Sequence, residues 1–247
     1  MKHDFWPCGG ALAAALLGAA GLTAMAPAVG ADAPRRAVVE ARAVASFDRV
    51  AIDAPAELSI TQGSAESLVV EAEARVLRLL RTRVESGTLV IGVTGSMQTE
   101  LPIRVRVTLR TLALLRADGA ADVRIGALRT PLLTLQLAGS SRTSVAELTS
   151  ERIELQLEGS SELQVRRGQV RQQQVRVDDA TRYDAPGLRS DEAQVDVRGS
   201  GEALLHAARR LDAQVSDSGR LAYSGSPRLT QRVSGAAELT AIRLEKP

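Results

Sequence analysis

The chain has 247 residues, and although 24% of them are charged, its formal net charge at pH 7 is only +2. Acidic and basic residues are interspersed and aromatic residues make up only 2%, so no basic patch with interleaved aromatics is present and nucleic acid is excluded as a partner. The single cysteine, Cys8, lies near the N-terminus, so the remaining chain has no thiol for a disulfide, a nucleophile or a zinc site.

Residues 1–31 have the features of a cleaved secretory signal peptide. A short polar start precedes a charge-free stretch over 9–31, and Val29-Gly30-Ala31 provides suitable residues before the cleavage site. Retention as a membrane anchor is the alternative, because the stretch is long enough to span a bilayer. Its Ala- and Gly-rich composition is only weakly hydrophobic, so we expect cleavage, no stable membrane insertion afterwards, and a periplasmic or extracellular bacterial protein.

A short polar linker is predicted at residues 32–46, followed by one uninterrupted domain over 47–247. Short apolar runs predict strands at 50–52, 58–60, 68–70, 88–91 and 103–107. The segment 74–83 has apolar residues at helix-compatible positions. A short helix there would cap the open N-terminal end of a solenoid, which stacked strands require.

One position recurs along the second half of the chain, and we name it the mark. It is occupied by Gly119, Gly139, Gly159, Asp179, Gly199, Asp217 and Gly235, at steps of 20, 20, 20, 20, 18 and 18 residues. Two small residues follow every mark. Gly and Asp tolerate left-handed backbone, so the mark predicts a tight corner, and the period predicts a stacked β-solenoid.

Apolar positions alternate with polar ones around each mark, as strands with one buried face require. The inward columns lie four before, two before and four after the mark. On this pattern we expect burial of Leu137, Leu157, Val177, Val197 and Val233. Tyr183 falls on an inward column and is also expected in the core.

The position three after the mark alternates in charge through all the copies: Asp122, Arg142, Glu162, Arg182, Glu202, Arg220 and Glu238. Stacked one rung apart, opposite charges attract by about 0.2–1 kcal/mol per exposed pair. We interpret the column as a device that helps set the register of the rungs. A row of ligand-binding charges is the alternative.

These patterns together predict an all-β, single-domain β-helix. It is a parallel β-solenoid of about 18–20 residues per rung and about ten rungs, with a possible short helix near the N-terminal end. Right-handed coiling is expected from the handedness of parallel crossovers.

Several segments resemble a bacterial family, the "putative auto-transporter adhesin, head GIN domain", whose function is unknown. The resemblance rests on the serial Gly-Ser-Ser and Gly-Ala-Ala corners, on the segment 87–91, and on Phe47, Val50, Ile52, Leu58, Ile60, Gln62 and Gly63. It covers roughly residues 47–242 and implies that 47–247 is a secreted or envelope-facing β-helical domain of GIN type. Asp179 and Asp217 depart from the Gly corner typical of the family.

Catalytic and metal-binding constellations are not evident, and we predict no catalytic residue, no metal site and no cofactor. His206 is the only histidine after the signal segment. The densest acidic group comprises Asp178, Asp179 and Asp184, with Asp196 on a neighbouring outward column, and nothing requires them to converge. Few aromatic residues remain to build a long saccharide subsite.

The sequence therefore predicts a non-enzymatic, adhesin-like scaffold that binds an envelope or extracellular partner, either protein or glycan. Regular columns of polar side chains suit extended or repetitive partners. The alternative is a carbohydrate-active β-helix enzyme, a polysaccharide lyase or hydrolase, that uses Asp178, Asp179 or Asp196.

Overall fold

The computed structural model of the chain describes residues 36–95 and 97–243. It is a single-domain β-solenoid of about 6 turns, with 64% of its residues in strands and 3% in helix. The predicted fold class is confirmed, but the predicted count of about ten rungs is too high. The proposed signal peptide, residues 1–31, lies outside the described residues.

The N-terminal elements do not continue a simple coil. They are β1 (Ala37–Arg42), β2 (Arg49–Asp53), β3 (Glu57–Gln62), β4 (Ser67–Glu73), α1 (Ala74–Leu79), β5 (Leu80–Glu85), β6 (Thr88–Val93) and β7 (Arg104–Leu109). Strands β2 and β3 lie parallel to β6 and β7 on one side. On the other side they lie parallel to residues 114–118 and 122–125, which form the first regular rung. Strand β4 pairs antiparallel with β7 and β1, and β5 pairs antiparallel with β6. Since these antiparallel strands are not rungs, the coil has fewer turns than predicted.

Strand β1 occupies most of the described part of the predicted linker, 32–46. It pairs with β4 along its whole length. Its last residue, Arg42, donates hydrogen bonds to the carbonyl oxygens of Leu77 at 2.9 Å and Leu80 at 2.8 Å. Backbone pairing and these contacts order a segment whose polar composition suggested a linker.

Helix α1 confirms the predicted short helix but ends at Leu79 instead of at residue 83. Ser86, with φ of 48°, and Gly87, with φ of 78°, form a two-residue loop between β5 and β6. Positive φ at both loop residues is the geometry of a type I′ hairpin. Because of this hairpin, residues 80–83 of the predicted helical segment belong to strand β5. Val76 and Leu77 of α1 are buried.

Each regular rung has three sides, which we name faces A, B and C. Face A contains β8 (Leu114–Asp118), the C-terminal parts of β9 (Asp122–Leu137), β10 (Arg142–Leu157), β12 (Gly168–Val177) and β14 (Leu188–Val197), and then β16 (Arg210–Val215) and β18 (Arg228–Val233). Face B contains the N-terminal parts of β9 and β10, and then β11 (Glu162–Val165), β13 (Arg182–Ala185), β15 (Glu202–His206), β17 (Arg220–Ser224) and β19 (Glu238–Ala241). Face C is formed by the middle parts of β9 and β10 and the first residues of β12 and β14.

The inward columns predicted from the sequence form the core in every regular rung but the last. Leu137, Leu157, Val177 and Val197 are at most 1% exposed. The fifth residue predicted to be buried, Val233, is 44% exposed, so that prediction is wrong. Its strand, β18, is the last strand of face A in the described residues, and no further rung covers the side chain.

The mark forms the corner between faces A and B, and all its copies have positive φ, between 62° and 78°. The rungs are close at this point, since a Cβ added to Gly139 would lie 2.8 Å from the carbonyl oxygen of Gly119 in the previous rung. A side chain is therefore strained here both by conformation and by contact.

The two aspartates at marks keep this geometry and add a hydrogen bond. Asp179 has φ of 62° and Asp217 has φ of 63°. The carboxylate of Asp179 accepts the Gly159 N–H at 3.3 Å, and that of Asp217 accepts the Gly199 N–H at 3.1 Å. Each aspartate thus satisfies a backbone donor of the preceding rung, so the departure from glycine does not disturb the fold.

Candidate functional site

The outer side of face A carries three parallel columns of side chains, seven, five and three residues before each mark, and from the second regular rung onward all of them but Leu132 are polar. We name it the face A surface. From the second regular rung onward, the column seven before the mark contains Leu132, Arg152, Gln172, Glu192, Arg210 and Arg228. The column five before it contains Thr134, Glu154, Gln174, Gln194, Asp212 and Thr230, and the column three before it contains Gln136, Gln156, Arg176, Asp196, Gln214 and Arg232. Members of one column stand about 4.8 Å apart, because they occupy neighbouring strands. The surface is therefore a periodic array of amides, guanidinium groups and carboxylates.

Two adjoining concavities, of about 400 Å³ and about 320 Å³, open on this surface. Gln174, Gln194, Arg210 and Asp212 line both of them. Both are lined mainly by side chains of the three columns, so rung stacking determines their composition.

Hydrogen bonds between rungs fix several side chains of this surface. Arg152 donates to Oε1 of Gln174 at 3.1 Å, and Gln172 donates to Oε2 of Glu192 at 3.2 Å. In the column three residues before the mark, the Gln136 amide donates to Oε1 of Gln156 at 3.3 Å. These contacts hold the amides in an extended, outward arrangement.

Charges in the larger concavity balance. Three carboxylates and three guanidinium groups line it: Glu154, Asp196, Asp212, Arg176, Arg210 and Arg232. Arg210 pairs with Asp212 at 2.9 Å, and Asp196 lies 4.0 Å from Arg176. A surface neutralised in this way suits a neutral ligand with many hydrogen-bonding groups better than a polyion.

The candidate catalytic acid Asp196 is held by arginine. Its carboxylate accepts two bonds from Arg198, at 3.1 Å and 2.6 Å. The hydrogen bonds and charge of Asp196, with smaller contributions from Asp178 and Asp217, raise the pKa of Arg198. Arg198 therefore occupies both oxygens of the Asp196 carboxylate in a two-bond ion pair.

The other acids of the predicted cluster lie on different parts of the solenoid. Asp179 is at a corner, where it accepts the Gly159 N–H. Asp184 is on face B, 3.5 Å from the amide of Gln164. No group of three or more His, Cys, Asp or Glu side chains suited to a metal ion occurs in residues 36–95 and 97–243.

The alternating column lies on face B as predicted, each member opposite the next in register. Arg142 pairs with Glu162 at 3.1 Å, and Glu202 pairs with both Arg182 and Arg220, at 2.5 Å and 3.1 Å. These contacts join successive rungs, which favours the interpretation that the column stabilises the register.

The alternation is broken once, where Glu57 of β3 lies opposite Asp122 of β9. Arg124 bridges the two carboxylates, at 3.4 Å and 2.7 Å. Beyond Glu57 the alternation resumes with Arg104 of β7, at 3.5 Å. An arginine two residues along the strand thus compensates for the one like-charged neighbour.

A buried chain of polar side chains crosses the core. Tyr183 donates its hydroxyl to Oε1 of Gln173 at 2.9 Å, and Gln173 donates to Oγ of Ser190 at 2.7 Å and to the carbonyl oxygen of His206 at 3.2 Å. Ser190 donates to the same carbonyl. Burial, and then the charge of Asp184, raises the pKa of Tyr183 far above its usual range. The group satisfies its own polar atoms, so we assign it a structural function.

Sequence reasoning missed this network, although Gln173 stands in the inward column of Leu133 and Ile153, where an amide is out of place. His206, half-buried, has no side-chain hydrogen-bond partner on its Nδ1 in the described residues. Burial, and then the charge of Arg189, lowers its pKa.

Residues 46–227 match the model of a protein family described as "Putative auto-transporter adhesin, head GIN domain". The chain belongs to this family. The resemblance identified in the sequence is confirmed, and the solenoid is a GIN domain. A comparison with curated proteins found no match.

Solved structures with the same fold come from several bacteria. A "putative adhesin" from Bacteroides fragilis is 20% identical, with a TM-score of 0.76 over 84% of this chain and 96% of that chain. Another from Parabacteroides distasonis is 18% identical, with a TM-score of 0.66 over 85% and 98%. A "putative lipid binding protein" from the latter species is 17% identical, with a TM-score of 0.62 over 84% and 97%. At these identities the likeness establishes the fold alone.

The described part of the GIN domain has no helix with the length and hydrophobicity of a membrane span.

Proposed function

We propose that this GIN domain is a non-enzymatic binding domain whose face A surface holds an extended neutral glycan. The observation that carries the proposal is the periodic array of amides and paired charges that lines the two concavities. Gln174 and Gln194, in register on neighbouring strands, repeat the same donor and acceptor about 4.8 Å apart. Such an array is complementary to a polymer that presents hydroxyl groups at a regular repeat.

A neutral ligand fits better than a charged one because equal numbers of carboxylates and guanidinium groups line the larger concavity, and Arg210 is paired there with Asp212. A polyanion would have to displace Asp212 from Arg210, and a polycation would have to displace Arg210 from Asp212. Hydrogen bonds replace aromatic stacking in this proposal, since Tyr183 is in the core and no aromatic side chain lines the two concavities.

Binding without chemistry is supported by the surroundings of the acids. Asp196 is bonded to Arg198, and Asp179 is bonded to a backbone N–H, so neither is poised as a proton donor or a nucleophile. The alternative is a carbohydrate-active enzyme, and the assay for new reducing ends described below distinguishes it from the proposal.

We place the domain outside the cytoplasm, in the periplasm or at the cell surface. The charge-free stretch over 9–31 and the adhesin family support this location. Cell fractionation with N-terminal sequencing of the mature protein tests it. A chain that begins near Asp32 in a soluble fraction is expected, and an intact Met1 in the membrane fraction would contradict it.

Titration calorimetry of the purified protein with neutral and charged oligosaccharides of increasing length tests binding. We expect saturable binding to a neutral oligosaccharide, with an affinity that rises with length until the concavities are filled. Since each hydrogen bond contributes about 1 kcal/mol, the double variant Gln174→Ala/Gln194→Ala is expected to bind about 10-fold or more weakly.

Gln169→Ala is the matched control, because Gln169 is an exposed glutamine at the start of β12, on face C. Equal losses in the control and the double variant, or binding of charged oligosaccharides only, would contradict the proposal. Release of new reducing ends that Asp196→Asn abolishes would establish an enzyme instead.

A further inference from the structure

The two ends of the solenoid are covered differently. At the N-terminal end, Arg42 lies over α1 and β5, and the first residue of β5, Leu80, is only 2% exposed. At the other end, Val233 is 44% exposed, whereas Val215 in the same column one rung earlier is 1% exposed. The apolar core is therefore open to solvent at the C-terminal end of the described residues.

The last strand of face A also has a free backbone edge. The N–H of Arg228 donates to the carbonyl oxygen of Arg209, just before β16, at 2.8 Å, and the N–H of Ser234 donates to that of Val215, the last residue of β16, at 3.0 Å. In a parallel pair, alternate residues bond to opposite neighbours. The N–H and C=O groups of Leu229, Gln231 and Val233 therefore point away from β16, and no strand of the described residues pairs with them.

Two arginines lie on the outer side of this edge, and one of them has a like-charged neighbour in register. Arg228 and Arg232 form no ion pair in residues 36–95 and 97–243, and Arg228 lies opposite another arginine, Arg210, in register. One rung earlier, Arg210 lies opposite Glu192. An added strand that provided opposite charges would carry two carboxylates four residues apart, one opposite Arg228 and one opposite Arg232.

A second copy of the chain does not satisfy these charges. Tail-to-tail pairing of two β18 strands brings their arginines against each other. Head-to-tail stacking brings them near β5, whose outer side carries Arg81, Arg83 and Glu85, and Glu85 is already paired with Arg83 at 2.5 Å. Like charges directly opposite in a sheet are destabilising.

We propose that β18 accepts an extended acidic strand of a different polypeptide by β-augmentation. The strand has the pattern acidic, apolar, polar, apolar, acidic. Its backbone pairs with the free edge and its carboxylates face Arg228 and Arg232. Its apolar side chains then lie opposite Leu229 and Gln231, the second within diagonal reach of Val233. Main-chain pairing gives affinity and alternate side chains give specificity, as in other strand-addition complexes.

A synthetic peptide with the core Glu-Val-Thr-Val-Glu, labelled for fluorescence anisotropy, tests the site on the full chain. We expect saturable binding, at least 10-fold tighter than that of the same peptide with Lys in place of Glu. Amide hydrogen exchange should slow at Leu229, Gln231 and Val233. Equal affinity for the two peptides, or no slowing at these amides, would overturn the proposal.

Two variants separate the backbone contribution from the charges. Gln231→Pro removes a free-edge N–H but no bond to β16, so it should weaken peptide binding at least 10-fold while the protein stays folded. Arg228→Glu/Arg232→Glu should reverse the preference in favour of the Lys peptide, whereas the control Arg171→Glu, on the outside of β12, should not. Unchanged preference in the double variant, or concentration-dependent self-association of the wild type through this edge in sedimentation, would refute an acidic partner.

Discussion

Reversal of the charge at Glu202 tests whether the alternating column stabilises the solenoid. The Glu202 carboxylate contacts Arg182 of the preceding rung at 2.5 Å and Arg220 of the following rung at 3.1 Å, and its side chain is 35% exposed. Glu202→Lys removes both pairs, each with a contribution of about 0.2–1 kcal/mol. It also places three cations in one row, where unit charges about 5 Å apart repel by about 0.8 kcal/mol in water. We expect the free energy of unfolding to fall by about 2–4 kcal/mol at low ionic strength.

Salt dependence distinguishes charge from packing as the cause of this loss. The Debye length shrinks from about 30 Å at 0.01 M ionic strength to about 3 Å at 1 M, so most of the penalty should disappear at 1 M. Urea unfolding of wild type and Glu202→Lys at the two ionic strengths measures the difference.

Two controls complete the experiment. Glu202→Gln removes the attraction without adding repulsion, so its cost should be about half that of the reversal. Glu158→Lys changes an exposed glutamate outside the column and should cost little. A penalty for Glu202→Lys that is the same at both ionic strengths would refute the electrostatic explanation.

Further predictions concern the stability of core variants and the pH dependence of stability that His206 causes. Leu157→Ala should cost about 2–5 kcal/mol in urea unfolding, because the residue is 0% exposed, whereas Val233→Ala in the open last rung should cost less than about 1 kcal/mol. Tyr183→Phe leaves Oε1 of Gln173 without its donor and should cost about 1–3 kcal/mol, with no change in ligand binding. The pKa of His206 is lowered from 6.5 in the folded state, so the unfolded chain binds more protons and stability should fall as pH drops below 6.5. Chemical denaturation between pH 7.5 and about 5 should show that His206→Gln lessens this loss, and an unchanged pH profile would contradict it.

Positions that depend only on the repeat could be predicted from the sequence. Leu137 and Val197 recur two places before a mark, and the same periodicity placed Arg142 and Glu162 on one line. A stacked coil applies the same environment to equivalent residues in each rung, so period and polarity suffice. Val233 has the same local pattern, but burial also needs a following rung, which local sequence does not reveal.

Features that depend on partners distant in sequence could not be predicted. Strands β2 and β3 insert between later strands, and no local signal specifies that pairing. Gln173 is acceptable in the core only because Tyr183 and Ser190 surround it. The columns of the face A surface were identifiable as outward, but the concavities depend on side-chain directions that the periodicity leaves open.

The closed N-terminal end and the open C-terminal end give the solenoid a mechanical polarity. Among the described residues, each strand from β8 onward on faces A and B has a neighbour on both sides, except β18 and β19, which have one neighbour each. Under tension applied through the termini, rungs should therefore detach one at a time from the C-terminal end. Each rung of 18 or 20 residues would release about 60–70 Å of extended chain. The solenoid would then lengthen in small steps under load, and the first strands to detach, β18 and then β16, are strands that line the larger concavity of the face A surface.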